Sequence, residues 1–159
     1  MGSGIVLTMG DLVFVRGTGF ISRAIEDITH SSYSHVALAV SEDTLIESQA
    51  REPVCYVPAT KYAREADVYR SALDAVTLTA IVNTACAHIG EHYGYGLIAE
   101  ELVREETGIQ LPWHARGPIC SVLISDAIRK AGVAFCQGIE YPAPADEARD
   151  GLYRYAFSY

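Results

Sequence analysis

The chain predicts an α+β fold, and three features predict it. Short alternating segments cluster between Asp11 and Ser71. Two long apolar stripes at helical spacing follow, at Asp74–Gly90 and at Cys120–Gly132, and an alternating aromatic tail runs from Gly151 to Tyr159. Period-two stretches make strands and 3.6-period stretches make helices, so a sheet and helices share the chain.

The elements can be justified in order. Asp11 to Arg16 reads as a short strand after a glycine turn, and Gly19 to Ile28 as a helix carrying Phe20, Ile21, Ala24, Ile25 and Ile28 on one stripe. From Ser34 to Val40, Val36, Leu38 and Val40 share one face, and His35, Ala37 and Ala39 the other, so a histidine stands on a small-residue face. The acidic turn Ser41-Glu42-Asp43-Thr44 leads into Leu45 to Ser48, the second arm of a hairpin. Further strands are expected near Val54–Val57 and Asp67–Ser71. Asp74 then opens a helix with Leu78, Ile81, Val82, Ala85, Cys86 and Ile89 as its apolar stripe, closing near Gly90. Tyr93 to Thr107 turns helical after Tyr-Gly-Tyr-Gly. Finally Leu123, Ile124, Ala127, Ile128 and Ala131 place Cys120 on the first turn of a buried helix.

At 159 residues the chain is expected to form one domain, residues 1–159. Acids outnumber bases 20 to 12, and the net charge of −8 argues against nucleic acid, whose phosphates need concentrated Lys and Arg. The start MGSGIVLTMGDLVFVRG has no basic n-region, and Gly10 and Asp11 interrupt its apolar stretch, so neither a signal peptide nor a membrane span is expected and the location expected is cytoplasmic. Gly2 does not complete a myristoylation signal, because Val6 stands where Ser or Thr is wanted. The four cysteines, Cys55, Cys86, Cys120 and Cys136, include no C-x-x-C pair, which gives no zinc-ribbon or dithiol signal.

A thiol acts as a nucleophile only as thiolate, and a helix N-terminus lowers its pKa through unpaired N–H groups and aligned peptide dipoles. Cys120 alone has that address. An imidazole that takes and returns the proton completes a Cys-His hydrolase pair, and His35 on a central strand suits this better than His30 in a turn or His114 in a loop. Glu47 shares the face of His35 in the proposed hairpin, so it can orient the ring and fix its tautomer. The same helix start offers the Cys120 N–H to a developing oxyanion. Taken singly, each residue has a blander reading: a small buried cysteine, a satisfied strand histidine, a solvated glutamate.

The stretch GDLVFVRGTGFISRAIEDITHSSYSHVALAV, then LIES, then ICSVLISDAIRKAG resembles the circularly permuted NlpC-type papain-like amidases of the YaeF/YiiX group. Gly10-Asp11-Leu12 matches the opening strand, Ser34-His35-Val36 the base strand, Glu47 the orienting carboxylate and Cys120-Ser121 the nucleophile. The Ile89-Gly90…Tyr93 and Pro144…Asp146 pieces are similar too. The resemblance implies a small antiparallel sheet or barrel packed against helices, and cleavage of an amide or ester through a thioester. One departure is Val122, where the group usually has a polar residue.

Tyr33, Tyr93 and Tyr95 are candidate substrate-binding residues, since tyrosine packs apolar groups while offering a hydroxyl. Ser121 joins them beside the nucleophile, and Trp113 and His114 are candidates for one wall. The partner expected is a small acyl or peptide-like substrate, with no cofactor and no metal. Two alternatives belong to other classes. His88-Ile89-Gly90-Glu91-His92 fits the H-x-x-E-H pattern of a zinc hydrolase, although Gly90, Gly94 and Gly96 suggest a helix that is ending. A non-catalytic ligand-binding module on the same fold is the other.

Overall fold

The structure, a computed structural model, describes residues 6–16, 32–49, 52–91 and 120–158. The helix expected at Gly19–Ile28 and the segment from Tyr93 to Thr107 lie outside these residues. Six strands form one antiparallel sheet: β1 (Leu12–Val15), β2 (His35–Ala39), β3 (Thr44–Glu47), β4 (Cys55–Pro58), β5 (Ala66–Ser71) and β6 (Tyr153–Ser158), in the order β4-β3-β2-β1-β5-β6. Among the described residues three α-helices accompany it: α1 (Ala75–Cys86), α2 (Cys120–Lys130) and α3 (Pro144–Arg149).

Both faces of the sheet are buried at its central strands, and the alternation of β2 shows how. Val36 and Leu38 pack with Leu12, Phe14, Ile46, Ile81, Leu123, Ile124 and Ala127, so this face carries α1 and α2. Ala37 and Ala39 pack instead with Val13, Val15, Leu45, Tyr62, Ala66 and Val68. The small residues predicted on the histidine's face are therefore core residues. Because a strand's side chains alternate strictly, a slip of one residue would exchange the two faces of β2.

Local chemistry sets the ends of the elements. Asp74 caps α1, its carboxylate accepting from the Thr77 N–H at 2.9 Å. The helix ends at Cys86, three residues short of the predicted stripe. Ile89 is consequently 42% exposed in the turn that Gly90 closes with φ +90°. Cys86 is half-buried against the core and accepts a hydrogen bond from the Tyr56 hydroxyl. Two short elements had no readable periodicity: the 3-10 turn Ala59–Tyr62, and α3, which Pro144 starts.

The Gly10-Asp11-Leu12 opening has a structural explanation. Asp11 is buried, and its carboxylate accepts from the Thr8 N–H at 2.8 Å and from Arg70 Nε and Nη2 at 2.8 and 2.7 Å, tying the start of β1 to β5. Gly10 has φ +90°, and a Cβ there would stand 2.6 Å from Leu78 Cδ2 of α1. Left-handed backbone and close approach both exclude a side chain. Gly10→Ala is expected to destabilise the fold by about 1–3 kcal/mol. Urea unfolding checks this, and an unchanged midpoint would mean that β1 and α1 separate freely at that turn.

Candidate functional site

The candidate site forms where two elements begin and a third ends. His35 is the first residue of β2, Cys120 the first of α2 and Glu47 the last of β3. The β2–β3 ladder pairs Leu38 with Ile46 and Ala39 with Leu45. Extending that register by one residue sets Glu47 across from Ala37, on the face that His35 begins. Ala37 is small enough for the carboxylate to pass over it, and His35 Nε2 lies 3.1 Å from Glu47 Oε2.

Cys120 belongs to the opposite side of the sheet, in the core shared by Val36, Leu38, Leu123 and Ile124. It is 5% exposed. It nevertheless interacts with the ring of His35, the residue that leads β2. With Nε2 engaged by Glu47, Nδ1 is the nitrogen left for the thiol. The backbone N–H groups of Val36 and Ser121 also reach the sulfur.

These contacts decide the charge states. Burial raises the Cys120 pKa, but the imidazolium of His35, its hydrogen bond and the two N–H groups outweigh burial and hold the thiol below its ordinary range. For His35 burial works downward, yet the thiolate and the Glu47 carboxylate raise it from 6.5 to about 9. Burial would likewise raise Glu47, but His35, Lys61 and Tyr62 bring it from 4.5 down to about 2. The shifts of Cys120 and His35 run in opposite directions, each easing transfer of the thiol proton to the ring, beside a carboxylate that its partners hold ionised. By contrast, burial and the carboxylates of Glu147, Asp150 and Asp146 push Cys136 up, and burial with Glu47 and Glu52 pushes Cys55 up.

Glu47 has partners that the sequence did not disclose. Lys61 Nζ lies 2.5 Å from Oε1, and the Tyr62 hydroxyl donates to Oε2 at 2.5 Å. Gln49 Nε2 in turn donates to the Tyr62 oxygen. Lys61 and Tyr62 sit on the 3-10 turn, whose four residues give no periodic pattern to read.

Of the other candidates, Tyr33 donates its hydroxyl to Asp67 Oδ2 at 2.5 Å and packs its ring on Phe14 and Tyr69. Ser121 is fully buried, and among the described residues its Oγ has no hydrogen-bond partner. Tyr93, Tyr95, His92, Trp113 and His114 lie outside the described residues. In the H-x-x-E-H segment, His88 Nδ1 pairs with Glu91 Oε2 at 2.8 Å, and Asp126 Oδ2 lies 3.9 Å from Nε2. Among the described residues no group of three His, Cys, Asp or Glu side chains is placed to hold a metal ion. At Glu47 the position beside the carboxylate is taken by the Lys61 ammonium. No helix of the described residues is long and apolar enough to cross a membrane.

No protein-family model matches the chain, and no curated protein matches it. Among solved structures its fold is similar to that of the metalloprotein YiiX from Escherichia coli O157:H7, a DUF1105 protein, with a TM-score of 0.61 at 16% identity, covering 96% of this chain and 97% of that one. The chain therefore has a YiiX-like fold of mixed α and β structure. The likeness extends to fold alone.

The depressed Glu47 pKa predicts an acid-stability signature. A carboxylate whose folded pKa lies below its unfolded one stabilises above the unfolded value, near 4.5, and that contribution is lost as pH falls toward about 2. The stability gap between wild type and Glu47→Gln is expected to narrow by on the order of 2 kcal/mol between pH 7 and pH 3. Urea midpoints at the two pH values measure it. A constant gap would show that folding leaves the Glu47 pKa at its unfolded value.

Proposed function

We propose that this protein is a cysteine hydrolase on a circularly permuted papain-like (NlpC-type) fold, with Cys120 as nucleophile, His35 as general base and acid, and Glu47 orienting His35. The observation that carries the reading is the joining of a thiol at the start of a helix to an imidazole whose far nitrogen is held by a buried carboxylate. Any one of the three has a structural use. A buried thiolate and imidazolium pair braced from behind is costly to build for packing alone.

The chemistry follows from the charges. The Cys120 thiolate adds to the carbonyl carbon of an amide or ester, forming a C–S bond and moving the carbonyl electrons onto oxygen. The Cys120 N–H at the start of α2 is suited to that oxyanion. His35 passes its proton to the leaving amine or alkoxide as the C–N or C–O bond breaks, leaving a thioester. Water then adds with His35 as base, and the acid departs with the thiolate restored. An acceptor other than water would make the same site an acyltransferase.

The substrate class this supports is a small acyl or peptide-like amide. Buried Ser121 and the half-buried Tyr33 stand beside Cys120 and His35 in sequence, and they are offered as substrate-facing residues with Tyr93 and Tyr95. The zinc hydrolase alternative finds less support, because Glu91, its proposed base, is engaged with His88.

A thiol-directed alkylator tests the reading. Cys120 is expected to be modified at pH 6–7, below the range of an ordinary thiol of pKa about 8.5, ahead of Cys55 and Cys136. His35→Ala is expected to slow this by about a hundredfold. An activated aryl ester should leave an acyl group on Cys120 by mass spectrometry, and Cys120→Ala should lose both reactions while folding normally. Labelling of Cys120 at the same rate in His35→Ala would refute the pairing.

A further inference from the structure

The neighbours of the Cys120–His35 pair pose a charge problem. Glu47 and Cys120 are both almost completely buried, and among the described residues the group between them that can carry positive charge is His35. Two anions and one imidazolium would leave a net negative charge out of water, which costs several kcal/mol and tends to be relieved by protonation. Among the described residues the groups facing Glu47 are His35 on β2, Lys61 and Tyr62 on the 3-10 turn, Cys55 opposite it on β4, and beyond His35, Cys120 on α2. Of these only Lys61 carries a fixed positive charge.

Its geometry suits that task. Lys61 Nζ takes the Oε1 oxygen, leaving Oε2 to His35 and Tyr62, so the cation does not compete with the imidazole for one lone pair. The ammonium also lies 5.3 Å from the centre of the Tyr62 ring, and that ring lies 5.6 Å from the His35 ring. The Lys61 side chain is 33% exposed while the carboxylate is 1% exposed, so the lysine keeps part of its hydration and still neutralises a buried acid.

Resting on the cysteine-hydrolase reading, we infer that Lys61 and Tyr62 are positioning residues of the reactive pair. Lys61 supplies the second cation that lets the thiolate and the carboxylate be buried together, and Tyr62 fixes the oxygen to which His35 is hydrogen-bonded. Removing the positive charge of Lys61 makes both anions harder to maintain and the imidazolium harder to discharge. The thiolate then forms at higher pH, and so does the loss of the His35 proton. A merely structural lysine would change stability or the amplitude of reaction but leave both pKa values in place.

The experiment is the pH profile of Cys120 alkylation by iodoacetamide, read by mass spectrometry on the folded full chain, for wild type, Lys61→Gln, Lys61→Arg and Tyr62→Phe. Lys61→Gln keeps a hydrogen-bond donor and loses the charge, and its midpoint is expected to rise by about one pH unit. Lys61→Arg should restore the wild-type midpoint. Tyr62→Phe should slow alkylation at pH 7 severalfold with Cys120 still selectively labelled. If wild-type Cys120 is activated and the Lys61→Gln midpoint coincides with that of wild type, the charge role of Lys61 is overturned and the hydrolase reading stands. If wild-type Cys120 reacts as an ordinary thiol, both fall. Should Lys61→Gln fail to fold by circular dichroism, Lys61→Met and Tyr62→Phe decide, an unshifted midpoint in the first with an unslowed rate in the second overturning the proposal.

Discussion

A carboxylate out of reach of water constrains the centre of this molecule. Glu47 is 1% exposed, and a buried anion is tolerated only when its oxygens are fully engaged. Three groups engage them, from β2 and from the turn after β4. For these donors to converge, β3 must end at residue 47, β2 must begin at residue 35, and the 3-10 turn must fold back over the sheet. The positions of the strand ends and the charge state of the histidine are therefore one problem with one solution.

Other buried acids of the sheet make the contrast clear. Asp11 ties β1 to Arg70 of β5, and Asp67 of β5 meets Arg16, Tyr33 and Ser158 of β6. Both clamp neighbouring elements with groups that remain charged or hydroxylic at any ordinary pH. Glu47 faces an imidazole, a ring that can gain and lose a proton, and beyond the imidazole a thiol. The same device of a paired buried acid thus ties strands through fixed partners in two places and engages a titratable ring in the third.

Burial of both faces of the sheet explains how a histidine and a cysteine on opposite sides interact. Within a strand, residues that face opposite ways are separated by the backbone. His35 is the first residue of β2 and Cys120 the first of α2, and these two elements pack together. The N–H of Val36 lies beyond the short ladder with β3, so it too is directed at the sulfur. A site at the margin of regular structure draws its rigidity from elements that stop there.

Much of this was legible in the residues. Alternation identified β2 with its histidine, the acidic turn identified the hairpin, and helical spacing put Cys120 at the head of a buried helix, because period and punctuation are local properties of a chain. The shared face of His35 and Glu47 followed from the hairpin register alone. Lys61 and Tyr62 were not legible: they belong to a single 3-10 turn with no period, and their partner lies fourteen or so residues away in chain order. Nor was the early end of α1, which left Ile89 exposed despite its helical spacing. By itself, then, the sequence determined the local address of His35, Glu47 and Cys120, since this depends on neighbours within a turn or a hairpin. Only tertiary structure decided their charge states, since those depend on which distant cation and which hydroxyl the fold brings against a carboxylate it has closed off from water.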